Sequence, residues 1–157
     1  MRPRLPAVAS ALLTATLLAV AAHGQNRDLR QRLAHAARID CSFSVVATGN
    51  WEDGAPLAAV APAKLETAFS DINVDEGTAE ADSKFGSSFI IVKQSDDYLH
   101  FVQMFNAGPL YVTTVFARQT ADGRFLAVHT RHEYLDVALP GFTSRPETYV
   151  GSCEVSD

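Results

Sequence analysis

Cysteine, methionine and tryptophan are scarce in this chain, with two, two and one among 157 residues. Positive charge is in deficit as well: 13 Lys+Arg stand against 18 Asp+Glu, a formal net charge of −5. That balance argues against nucleic acid or an anionic membrane surface as the main partner. The sequence holds no CxxC, no HExxH, no P-loop, no dinucleotide fingerprint and no G-x-S-x-G elbow. The usual signatures of thiol redox, zinc-peptidase, nucleotide-dependent and serine-hydrolase chemistry are therefore missing. No metal and no cofactor is implied. There is no internal repeat, and no second long apolar run follows the one at the N-terminus.

That first run, Ala7 to Ala22, follows Arg2 and Arg4 and leads into Gly24 and Gln25. A basic start, an apolar middle and small residues at signal-peptidase spacing read as a cleaved export signal over residues 1–24. A cut after Ala22 fits nearly as well. An uncleaved anchor is the alternative, but the run is short and Ala-rich for a span of roughly 20 strongly apolar residues. Removing residues 1–24 takes Lys+Arg from 13 to 11 and leaves 18 acids, so the charge moves from −5 to −7. The expected location is secreted or periplasmic, with no stable membrane span after cleavage. The remaining stretch, about 133 residues, has the size of one ordinary domain.

Cys41 lies near the start of that stretch and Cys153 near its end. An even pair in an exported chain points to a disulfide. A thiol nucleophile or metal ligand is the alternative, yet neither cysteine has a histidine beside it. The bond would tie the first core strand to the last.

Residues 25–39 place Leu29, Leu33 and Ala36 at helical spacing and predict a short amphipathic helix. From Asp40 onward the period is two. "CSFSVVATG" reads as a strand, and "NWEDGAPLAAVAPAK" as a long loop whose Trp51 would lie over the core. "LETAFSDINVDEGTAEAD" reads as a strand pair turning at Asp75-Glu76-Gly77. "SSFIIVKQ", "YLHFVQMF", "LYVTTVFARQ" and "RFLAVHTRHEYL" form a meander between short turn clusters, and "ETYVGSCEV" is the last strand, with Gly151 a bulge position. The expected fold over residues 40–157 is mostly β, one antiparallel meander closed as a small barrel or split as a sandwich. In general plan it resembles the lipocalins and avidins, without their sequence signatures. Architecture alone does not fix a function.

"FLAVHTRHEY", Phe125 to Tyr134, is the chemically densest stretch. On a strand, alternate residues face opposite sides. His129 and His132 then point apart, which removes the H-x-x-H metal reading. Phe125, Ala127, His129, Arg131 and Glu133 share one face. Even-length turns at Asn106–Pro109 and Ala121–Asp122 would set Thr114 opposite His129, Val112 opposite Arg131 and Phe116 opposite Ala127. One face would then gather Phe101, Phe116 and Phe125 with Gln103, Thr114, His129 and Arg131 at one end. An apolar wall with a few converging polar groups is the form of a small-molecule pocket.

Three readings follow. The first is a non-enzymatic barrel binding a small, partly apolar ligand through Arg131, His129, Gln103, Thr114, Phe101 and Phe116, with Arg131 the anchor for a carboxylate or phosphate if the ligand is anionic. The second is a protein-interaction module, an envelope factor or an inhibitor of a secreted enzyme, contacting partners through loops around Trp51, Phe142 and Arg145. The third is a small hydrolase or isomerase with His129 or His132 as base. The acidic stretch from Asp71 to Asp82 lacks regular calcium-loop spacing and reads as a solvated hairpin.

Overall fold

The computed structural model describes residues 27–83, 86–106, 108–135 and 144–156. The expected export signal, residues 1–24, and Phe142 lie outside them. A helix, α1, covers residues 27–34. It is followed by β1 (Arg38–Glu52), β2 (Ala55–Asn73), β3 (Thr78–Ser83), β4 (Gly86–Ser95), β5 (Tyr98–Met104), β6 (Leu110–Gln119), β7 (Phe125–His132) and β8 (Glu147–Ser156). Each strand pairs antiparallel with the next, and β8 returns to β1, so the sheet closes into a barrel.

Closure is chemical as well as geometric. Cys41 and Cys153 are direct cross-strand partners on β1 and β8 and are joined by a disulfide. The register of these two strands shifts between Phe43 and Val45, opposite Gly151. A Cβ on Gly151 would lie 2.1 Å from the Ser42 carbonyl oxygen and 2.6 Å from the Phe43 Cα. Only glycine lets the two backbones come this close.

The helix ends before the expected Ile39, because β1 takes over at Arg38, and residues 25 and 26 of the expected span lie outside the described residues. Its Leu29 and Leu33, with Ala36 just beyond it, are buried in the same core as Ile39, Leu99, Phe101 and Phe125. The Ala37 N–H donates to the Ser156 carbonyl, Arg30 pairs with Asp97 in the β4–β5 turn, and Arg32 lies over the Phe125 ring. The helix therefore closes the barrel end that carries the β4–β5 and β6–β7 turns. Phe69 and Phe101 stack at 4.0 Å in this half.

Two expectations need correction. "NWEDGAPLAAVAPAK" is a hairpin, not a loop. β1 runs to Glu52, which pairs with Ala55 across a two-residue turn. Both turn residues, Asp53 and Gly54, have positive φ (51° and 79°). This is the primed turn that matches strand twist, and Asp-Gly is its favoured sequence. Trp51 accordingly sits half-exposed near the hairpin tip rather than over the core.

The second correction concerns β6. Met104 pairs with Leu110 across an odd number of loop residues, with the Phe105 N–H bonded to the Pro109 carbonyl. The β6–β7 turn runs Thr120–Arg124 around Gly123 (φ 82°), and the ladder shifts register between Val115 and Gln119. Both departures from the expected turns move the pairing by one residue, which swaps every side chain on the strand to the other face. Thr113 sits opposite His129 and Tyr111 opposite Arg131. Thr114 and Phe116 point outward.

Candidate functional site

The half of the barrel away from α1 differs in chemistry from the core half. Strand alternation from Phe125 and Ala127 carries His129, Arg131 and Glu133 inward along β7 toward the β5–β6 loop end. Alternation from Cys153 does the same for Tyr149 and Glu147 on β8, and β6 adds Thr113 and Tyr111. The ladder then sets these side chains in adjacent rows: Thr113, His129 and Tyr149 in one, Tyr111, Arg131 and Glu147 in the next.

His129 is the hub. It is 5% exposed, and its Nδ1 lies 2.8 Å from the Thr113 Oγ1. The Arg131 Nε–H donates to its Nε2 at 3.2 Å. Arginine can only donate, so Nε2 must carry a lone pair, and the ring is neutral with its proton on Nδ1, donated to Thr113. Electrostatics agree: burial, and then the Arg131 charge, push the His129 pKa down to about 4. The ring packs among Phe43, Tyr111 and Tyr149 at 5.8 to 5.9 Å.

Arg131 is held as a plate between two aromatic rings, 5.1 Å from the Tyr111 centroid and 5.3 Å from that of Tyr149. Cation–π attraction and the Nε bond fix its plane. Its NH1 comes only to 3.9 Å from Glu147 Oε2, an ion pair without a close hydrogen bond. Among the described residues Nε makes the one hydrogen bond of this guanidinium, and the side chain keeps 19% of its surface open. Each tyrosine in turn serves a carboxyl group: Tyr111 Oη donates to Glu133 at 2.9 Å, and Tyr149 Oη to Glu147 at 2.6 Å. Burial first, then these acceptors, push both phenols up to about 12. On the same inner face, near the rim of β1, Asn50 Oδ1 is buried with no donor among the described residues.

The expected site is thus partly assembled and partly dispersed. Arg131 and His129 come together inside the barrel. Gln103 also faces inward but donates to Ser88 Oγ, and Phe101 belongs to the apolar core. Thr114 bonds His100 on the outer surface, and Phe116 meets Tyr98 edge-on there, so neither belongs to the cluster. His132 is exposed on the outside. Of the expected interaction residues, Trp51 packs edge-on against Tyr134, and Arg145 lies over the Tyr134 ring, 4.7 Å from its centroid. Arg145 also donates to the Leu135 and Ser144 carbonyls. Glu133 joins Arg131 and His129 on the face expected from strand alternation, and Tyr111, Thr113, Tyr149 and Glu147 complete the inner cluster without having been placed there from sequence. Tyr149 and Glu147 carry a usable signal, since they lie an even number of residues from Cys153.

The outside of the barrel also divides. An open groove of about 480 Å³ near the α1 end is lined by Asp40, Ser42, Glu66, Asp82, Arg124 and Glu154. Arg38 bridges two of these acids, Asp40 and Asp82, at 2.8 and 2.9 Å. Toward the other end the outer side chains are apolar and open, with Phe89 84% and Met104 73% exposed. No helix among the described residues is long and apolar enough to cross a membrane. No family model, no curated protein and no solved structure matches this chain.

Proposed function

We propose that this is an exported, non-enzymatic β-barrel that binds a small, partly apolar molecule inside the half away from α1. The observation that carries the reading is the Arg131 guanidinium, held by His129 and two tyrosine rings while its terminal N–H groups make no hydrogen bond among the described residues. A planar fork of donors pre-set in this way suits an oxygen acceptor of a ligand. Two acidic side chains, Glu133 and Glu147, flank this single arginine. A neutral carbonyl or amide oxygen therefore fits better than a free anion. The phenol rings and Phe43 supply the apolar wall. The disulfide supports an oxidising compartment outside the cytosol.

His129 acts here as a scaffold rather than a base, because both ring nitrogens are occupied. The test is a fragment screen by nitrogen-edited NMR, comparing neutral carbonyl-bearing with carboxylate-bearing compounds. Neutral fragments should shift the Arg131 Nε–H resonance in the wild type. In Arg131→Lys, which keeps the charge but loses the fork, binding should fall about tenfold or more. Equal binding by the variant would remove Arg131 from the site.

The protein-interaction reading keeps one specific support, the exposed apolar side chains outside the same half, Val60, Phe89 and Met104 among them.

A further inference from the structure

β2 is the longest strand, yet β3 pairs with it only from Ala68 onward. Among the described residues, nothing pairs with residues 55–67 on the side away from β1. This stretch of β2 is therefore a free strand edge among the described residues. Free edges ordinarily carry charge or proline against stray pairing. From Ala55 to Ala63 this one has no charged residue, only Pro56 and Pro62.

The direction of the backbone groups is fixed by one bond. The Gly49 N–H donates to the Pro146 carbonyl at 2.8 Å, on the side away from β2. Facing residues of an antiparallel ladder exchange both bonds or neither. Gly49 and its partner Ala58 are thus a non-bonded pair, and Ala58 aims its N–H and C=O at the free edge. Alternation aims Pro56, Val60 and Pro62 the same way. The prolines therefore fall on outward-pointing positions, where a missing N–H costs β1 nothing. Between them lie two outward donors, Ala58 and Val60.

We propose that this edge pairs with the same edge of a second copy, antiparallel about a two-fold axis at Ala59. In that register Ala58 of each copy exchanges both bonds with Val60 of the other, so every outward N–H between the prolines finds a carbonyl. Pro56 faces the other copy's Pro62, so no donor is stranded at the ends. Sliding either copy by two residues sets Ala58 or Val60 against a proline, which accepts a bond but returns none, so the reciprocal pairing is lost. On the inner face Ala59 meets Ala59, and Leu57 meets Ala61; on the outer face Ala58 lies beside Val60, which is 73% exposed in the single chain. All these pairs are apolar, and no like charges meet. The pairing is isologous, so each copy satisfies the same edge of the other, and it closes as a dimer rather than extending as a fibre.

The test uses protein from periplasmic expression, purified without reductant and followed by light scattering and sedimentation over a dilution series. The wild type should be a reversible dimer. Val60→Pro removes an outward N–H at a position equivalent to Pro56 and Pro62, leaves the β1 ladder intact, and should weaken the dimer on the order of tenfold or more. Ala59→Cys reads the register independently. Non-bonded antiparallel partners approach to about 4.5 Å between Cα atoms, within disulfide reach, so Ala59→Cys should cross-link the two copies on oxidation. Ala61→Cys, whose counterpart is roughly 13 Å along the strand, should not. A monomer at every concentration, a dimer indifferent to Val60→Pro, or preferential cross-linking through Ala61→Cys would each overturn the proposal.

Discussion

Arg131, His129 and Thr113 form a chain in which each link fixes the next. Thr113 accepts from Nδ1, which leaves the Nε2 lone pair to accept from Arg131, which then lies flat between two tyrosines. The chain requires a neutral imidazole, and this has a consequence for stability. The folded pKa of His129 is lowered to about 4 from an ordinary 6.5. Above 6.5 neither folded nor unfolded chain binds the proton. Between 6.5 and about 4 only the unfolded chain does, so stability falls as pH falls through that window and levels off below it. The loss attributable to His129 is on the order of 3 kcal/mol. Urea midpoints measured from pH 7 to 4 should show it, and His129→Gln should flatten that part of the profile. An unchanged slope in His129→Gln would assign the acid sensitivity to other groups. Sequence placed His129, Arg131 and Glu133 on one face because strand alternation is a local rule. It misplaced Thr114 and Phe116 because facing across strands depends on loop parity, which composition does not reveal.

At the scale of elements, all eight strands and the closing disulfide were legible. β-branched and aromatic runs between turn clusters mark strands locally, and the disulfide names the pair that closes the ring. The β1–β2 hairpin was missed although Asp53-Gly54 is a strong hairpin signal, because the flanking Ala- and Pro-rich segment has little strand propensity. Its turn geometry decides the matter, and Gly54→Ala should cost roughly 1–2 kcal/mol by forcing an L side chain into the left-handed region. Gly151 works by a different mechanism. Its Cβ position is filled by β1 backbone, so Gly151→Ala should force the β1–β8 bulge apart and cost about 1–3 kcal/mol or more. Both losses are readable from urea midpoints, and the Gly151 variant should be the more severe. The inward positions of Tyr149 and Glu147 were also within reach, since Cys153 fixes the phase of β8 and both lie an even number of residues from it. What sequence could not supply was the partner across each rung.

For the whole molecule, the barrel is built in two halves. The half under α1 is an apolar core, and the other encloses a polar network around one arginine. The Cys41–Cys153 bond spans 112 residues of sequence at the core half. In the chain-entropy picture a loop this long stabilises by at most about 4–5 kcal/mol. The double replacement of Cys41 and Cys153 by alanine should therefore lower the unfolding midpoint substantially. The far-ultraviolet spectrum of the folded state should stay the same, because the β1–β8 ladder persists. The central claim is that the polar half receives a small molecule at Arg131. Native mass spectrometry of unreduced protein taken directly from a periplasm tests it most directly. The account predicts a species carrying extra mass that is shed on gentle activation and is strongly depleted in Arg131→Lys purified alongside. Extra mass retained equally by wild type and variant, or a wild type that stays bare even after incubation with the periplasmic small-molecule fraction, would contradict it.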